Sequence, residues 1–100
     1  MNTRESNKLL ADFMEKPIYR FDGLTKIETK LLYHTDWNWL MQVVQKIESL
    51  GNDILITTNY IQIGFDEGEQ FIVVEEVNVK IEAVYQAVLE FVKWYNEQNK

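Results

Sequence analysis

Polar residues near the end of the chain fall on a single line. Within residues 78–96, Glu82, Gln86, Glu90 and Lys93, continued by Glu97, follow one another at steps of three or four, which is the period of an α-helix. Lys80 aside, the intervening positions are apolar or aromatic: Val79, Ile81, Ala83, Val84, Tyr85, Ala87, Val88, Leu89, Phe91, Val92, Trp94 and Tyr95. A helix wet along one stripe has to be covered around the rest of its circumference. This segment, capped by Asn78, is therefore predicted to be the central core element.

Earlier segments supply the cover. Residues 3–16 place Leu9, Leu10, Phe13 and Met14 on one face of a short amphipathic helix, an accessory element that Pro17 is expected to stop. Residues 17–33 show an Asp22-Gly23 turn signal and an alternation of Lys26, Glu28 and Lys30 with Ile27, Thr29 and Leu31, compatible with a short edge strand or a structured loop. A second helix is predicted from Thr35 or Asp36, either of which can cap it, to Gly51. Its apolar positions are Trp37, Leu40, Met41, Val44, Ile47 and Leu50.

Three strands follow, at residues 54–58, 60–65 and 70–75, rich in β-branched and aromatic side chains. A three-residue hairpin loop at Asp66, Glu67 and Gly68 would set Phe65 opposite Glu69, Ile63 opposite Phe71 and Ile61 opposite Val73. Ile61, Ile63, Phe71 and Val73 would then share the buried face. The other face, with Tyr60, Ile72 and Val74 beside Gln62 and Gly64, is also partly apolar and calls for cover of its own. The predicted fold class is α+β: a three-stranded antiparallel sheet packed with helices, in the order α-loop-α-β-β-β-α, across a single domain at residues 1–100.

Length and composition narrow the class. A chain of 100 residues can hold one core without metal or disulfide support. There are no cysteines, which excludes thiol nucleophiles, disulfides and thiolate metal sites. Neither a secretory signal nor an apolar run long enough to span a membrane is seen, so the expectation is a soluble cytoplasmic protein. The formal net charge is −6, which disfavours direct nucleic-acid binding because phosphate backbones repel an acidic surface.

The most distinctive stretch is Tyr33-His34-Thr35-Asp36-Trp37-Asn38-Trp39. His34 is the sole histidine; beside a carboxylate it can act in acid-base chemistry, or it can simply pack around the first turn of a capped helix. Trp37 and Trp39, two apart, point to different sides of that helix, so one of them, Trp39, is expected at a surface or beneath the 17–33 segment. Asp66, Glu67 and Glu69 form an acidic turn, with Glu75 and Glu76 at the far end of the last strand. The turn lacks the ladder of oxygen ligands used by dedicated calcium loops. No phosphate-cradling glycine loop, nucleophile elbow or helix-borne histidine pair occurs. No catalytic residue, cofactor or metal site is therefore assigned. The candidate binding residues are Tyr33, His34, Asp36, Trp37, Trp39, Trp94 and Tyr95.

Three blocks carry a resemblance: Asn7-Lys8-Leu9-Leu10-Ala11-Asp12-Phe13-Met14; Tyr33-His34-Thr35-Asp36-Trp37-Asn38-Trp39-Leu40-Met41 with Val43-Val44-Gln45-Lys46-Ile47-Glu48; and Lys80-Ile81-Glu82-Ala83-Val84-Tyr85-Gln86-Ala87-Val88 with Phe91-Val92-Lys93-Trp94-Tyr95-Asn96. Together they resemble small proteins encoded by phages and prophages, especially of Bacteroidetes, and more distantly the phage ABA sandwich domain, in which helices cover a sheet. The resemblance implies a phage accessory protein in a bacterial host cell and transfers no catalytic residue. The expected function is non-enzymatic binding of a host protein or a nucleotide-like small signalling ligand by a homo-oligomer. Two alternatives stand beside it: a small hydrolase or nuclease-like enzyme using His34 with nearby carboxylates, and a structural or morphogenetic virion component.

Overall fold

A computed structural model describes residues 2–75 and 78–99. These form α1 (Thr3–Phe13), β1 (Tyr19–Asp22), β2 (Thr25–Glu28), α2 (Trp37–Ser49), β3 (Asp53–Ile56), β4 (Tyr60–Phe65), β5 (Gln70–Glu75) and α3 (Lys80–Gln98). The α+β class and the three-stranded antiparallel sheet, in order β3-β4-β5, are as the sequence predicts. Residues 17–33 add a separate antiparallel hairpin, β1-β2, turned by Gly23 at φ 64°.

Helix α3 lies against β4, β5, α1 and α2. Val84, Val88, Phe91 and Val92 are completely buried, while Glu82, Gln86, Glu90, Lys93 and Glu97 are exposed. The single wet stripe is thus the solvent face of the core helix. Its start differs from the expectation. Val79, not Asn78, is the N-cap residue, and it makes no side-chain capping bond. Packing of the following turns, rather than a cap, holds this end of the helix. Glu76, read from the sequence as part of the acidic end of β5, lies outside the described residues.

Helix α1 ends three residues earlier than its apolar pattern suggests, and Pro17 is not what stops it. Glu15 takes a left-handed conformation (φ 56°), its N–H donates to the Asp12 carbonyl at 3.0 Å, and the Lys16 N–H donates to the Ala11 carbonyl at 2.8 Å. That pair of bonds is the Schellman termination. The Lys46 ammonium from α2 takes the Phe13 carbonyl as acceptor, so the C-terminal end of α1 is joined to a second helix by a cation. With Leu10 and Ala11 fully buried and Phe13 nearly so, α1 belongs to the core rather than being an accessory to it.

The hairpin between β4 and β5 corrects the predicted register. Phe65 pairs with Gln70, Gly64 with Phe71, Ile63 with Ile72, Gln62 with Val73 and Ile61 with Val74. The connection therefore has four residues, with Asp66, Glu67 and Gly68 all at positive φ. One extra loop residue exchanges the two faces of β5. The inner face is Ile54, Ile56, Ile61, Ile63, Phe65, Ile72 and Val74, while Phe71 and Val73 point outward and are 59% and 46% exposed. The expected second cover is missing among the described residues: Leu55, Phe71 and Val73 lie open on the outer face. Phe71 lies across Gly64, where an added Cβ would come within 3.2 Å of its ring.

Helix α2 begins as predicted, with the Asp36 carboxylate accepting from the Asn38 N–H at 2.8 Å, and Gly51 follows it at φ 92°. Its buried residues are Leu40, Val43, Val44 and Ile47. Trp37 and Leu50, assigned to the core stripe from sequence, sit at the two ends of the helix and are 40% and 45% exposed. A stripe is buried only as far as its neighbours extend.

Candidate functional site

Asn7 is a buried polar residue on α1, 4% exposed, among the apolar positions of that helix. Buried amides are retained where their hydrogen bonds are met. Its Nδ2 donates to the Leu31 carbonyl at 3.1 Å and lies 2.9 Å from His34 Nδ1, while its Oδ1 accepts from the Tyr85 hydroxyl at 2.8 Å. The carbonyl partner fixes which end of the amide is nitrogen. His34 Nδ1 must then be an acceptor, which places the imidazole proton on Nε2. One side chain thereby joins α1, the segment leading into α2, and α3.

Above this network lies a cleft of about 510 Å³. Helix α1 lines it with Thr3, Arg4, Asn7 and Lys8, β2 and the residues after it with Glu28, Thr29 and Lys30, and the approach to α2 with Leu31, Leu32, His34 and Thr35. Three basic residues, Arg4, Lys8 and Lys30, line this cleft with one acidic residue, Glu28, on a chain of net charge −6. Glu28 is held by Arg4, whose Nη2 lies 2.9 Å from Oε1, and by Lys8, whose Nζ lies 3.3 Å from the same oxygen. The Arg4 hydrogen bond, reinforced by Lys8, keeps the Glu28 carboxyl below the usual glutamate range despite a smaller opposing effect of burial.

The residues singled out from sequence do not form one site. His34 lines the cleft. Asp36 uses its carboxylate as the cap of α2, and among the described residues no hydrogen bond or ion pair joins it to His34. Tyr33 is fully buried, edge-on to Trp39 at 5.1 Å, and its hydroxyl has no hydrogen-bond partner among the described residues. Burial raises the Tyr33 phenol above its ordinary pKa, and burial raises that of Tyr85 too, against a weaker lowering effect of Ser6.

Of the two tryptophans of α2, Trp39 is covered by the end of the 17–33 segment, one of its two expected places, whereas Trp37 departs from its expected core position. Trp39 is half-buried between Tyr33 and Lys16, whose ammonium stands 4.0 Å from its ring centre. Trp37 is the exposed one. Trp94 and Tyr95 lie about 14–15 Å further along α3 than Tyr85, at 1.5 Å per residue. Trp94 packs 4.6 Å from Phe65 and Tyr95 packs 5.3 Å from Phe13, so both belong to an aromatic cluster around Phe91. They also line a separate cleft of about 320 Å³ with Leu50 and Glu67.

Arg4, Asn7, Lys8, Glu28 and Lys30 were not found from sequence. One signal was present: Asn7 interrupts an apolar stripe three residues before Leu10 and seven before Met14. The partners of Arg4, Asn7, Lys8 and Glu28 lie 20 to 78 positions away, beyond any local pattern.

Among the described residues no three His, Cys, Asp or Glu side chains come together as a metal site, and no helix is long and apolar enough to cross a membrane. Comparisons with protein-family models, curated proteins and solved structures find no match to this chain.

Proposed function

We propose that this is a phage or prophage accessory protein that acts by binding, taking a small ligand in the cleft between α1, β2 and the approach to α2. The observation that carries the proposal is the cleft itself. Its volume of about 510 Å³ falls within the roughly 300–1,000 Å³ typical of small-molecule sites. One wall is immobilised by the Asn7 bonds to Leu31, His34 and Tyr85, which supplies the preorganisation that favours affinity. The hydrolase alternative has less support, because His34 Nδ1 is engaged by Asn7 and the Asp36 carboxylate caps a helix.

A thermal-shift screen against neutral and charged metabolites, with nucleotides included, tests the proposal. A ligand at about 100 times its dissociation constant adds about 2.7 kcal/mol of stability, worth on the order of 10–20 °C in a domain of this size. The shift should disappear in His34→Ala. A panel in which no compound moves either the melting point or the His34 ring resonances overturns the proposal.

Self-association is the second part. β5 is an edge strand, and the face bearing Leu55, Phe71 and Val73 is open. Antiparallel pairing of β5 with β5 of a second copy, centred on Val73, would extend one apolar face across both molecules without setting like charges opposite each other. A monomer by light scattering at high micromolar concentration rules this part out.

A further inference from the structure

We propose, resting on the cleft as the binding site, that its ligand carries a phosphoryl group on a small organic molecule, and that the Glu28 carboxylate stands where that phosphoryl group would sit. Arg4 Nη2 lies 2.9 Å from Glu28 Oε1, and Arg4 Nε lies 3.4 Å from Oε2. This side-on fork is the geometry a guanidinium offers equally to carboxylate and to phosphate. Lys8, four residues on and therefore on the same face of α1, reaches Oε1 as well. Two cations thus converge on a single oxygen position.

Lys30 is a third basic residue on the lining of the same cleft. If Glu28 withdraws, Arg4 and Lys8 lose their counter-charge in the cleft, with Lys30 also on its lining. That matches a dianionic phosphoryl group better than a singly charged carboxylate. Withdrawal is feasible because the clasp is a surface one: the Arg4 and Glu28 side chains are 63% and 38% exposed, and exposed pairs hold weakly. Glu28 also sits at the end of β2, in a hairpin whose Tyr19, Phe21 and Leu24 are exposed. The organic part of the ligand has the rest of the cleft, where Leu31 and Leu32 offer apolar contact and His34 and Thr35 offer hydrogen bonds.

Calorimetric titration with AMP, inorganic phosphate and adenosine, at low ionic strength, tests the assignment on the wild-type protein and on E28Q, R4M and K8M. All three substitutions fall on exposed or half-buried surface, and their melting points should stay within a few degrees of wild type. AMP should bind more tightly than inorganic phosphate, adenosine should bind weakest, and added salt should weaken AMP. E28Q removes the internal competitor and should tighten AMP about two- to fivefold, as expected for loss of an exposed pair. R4M should weaken it about tenfold or more, as for loss of a charge-assisted bidentate contact, and K8M should weaken it less.

AMP affinity that falls or stays unchanged in E28Q overturns the assignment. Adenosine that binds as well as AMP and is lost in His34→Ala leaves the cleft as a binding site while removing the phosphoryl group from it. If none of the three probes binds, the phosphoryl assignment fails, and the wider metabolite screen alone decides the cleft.

Discussion

Tyr33→Phe and Tyr85→Phe delete the same atom from two tyrosines of the same core, yet the two substitutions should move stability in opposite directions. The Tyr33 hydroxyl is buried with no hydrogen-bond partner among the described residues, and a buried polar group in that condition costs about 1–3 kcal/mol. Phenylalanine keeps the ring and its edge-on contact with Trp39 at 5.1 Å and removes the cost. The expected gain is about 1 kcal/mol, or a rise of about 4–8 °C in Tm for a domain of this size. The Tyr85 hydroxyl donates to Asn7 Oδ1 at 2.8 Å. Its removal forfeits a net bond of about 0.5–1.5 kcal/mol and leaves the Asn7 oxygen buried without its donor, for a total loss of about 1–3 kcal/mol. Thermal and urea unfolding followed by circular dichroism, with both variants beside wild type, gives the comparison directly. A Tyr33→Phe protein destabilised as much as Tyr85→Phe would mean that the Tyr33 hydroxyl has a partner, and the reasoning would fail. A neutral Tyr85→Phe would refute the assignment of Asn7 as the junction of three segments.

Two further outcomes follow from burial. Phe91→Ala should cost about 3–5 kcal/mol, because the ring is fully buried among Phe13, Phe65, Trp94 and Tyr95; Trp37→Ala, at a site 40% exposed, should cost less than about 1 kcal/mol. Equal urea midpoints for these two variants would contradict the placement of α3 at the centre. At high pH, Tyr33 and Tyr85 should ionise above the ordinary phenol range, since burial raises both. Their folded values exceed the unfolded one, so their titration leaves stability unchanged below about pH 10 and lowers it as pH rises from there through the folded values. Ultraviolet phenolate titration should show part of the tyrosine absorbance appearing only with alkaline unfolding, and its full appearance in the still-folded protein would contradict this.

What could be read from the sequence follows the range of the forces involved. The α3 stripe was legible because helical periodicity repeats the same local statement over 19 residues. Asp36 and Gly51 were legible because caps act over one turn. The face of β5 was not, since Phe71, Ile72, Val73 and Val74 are all apolar and such a run contains no internal preference for either side. Loop length alone decided it, and three consecutive left-handed residues are hard to anticipate at Asp66 and Glu67, which are not glycine. Trp37 failed for a related reason: its spacing from Leu40 is that of a core position, but periodicity does not report where a neighbouring element ends.

The candidate site was less legible than the fold because its two walls are made by contacts of different kinds. One wall is fixed through Asn7 to the core helix, by three bonds that each cross at least 24 positions of sequence. The other wall is Glu28, in an exposed hairpin held to α1 through ion pairs. A buried hydrogen-bonded amide resists displacement, whereas an exposed ion pair weakens with ionic strength and yields to a competing anion. On the proposed reading, the wall fixed by Asn7 would govern which shapes fit the cleft, and the Glu28 wall would govern how tightly a charged ligand is kept. Changes at Asn7 or Tyr85 should alter selectivity and stability together. Changes at Arg4, Lys8 or Glu28 should alter affinity and its salt dependence while the core stays as it is.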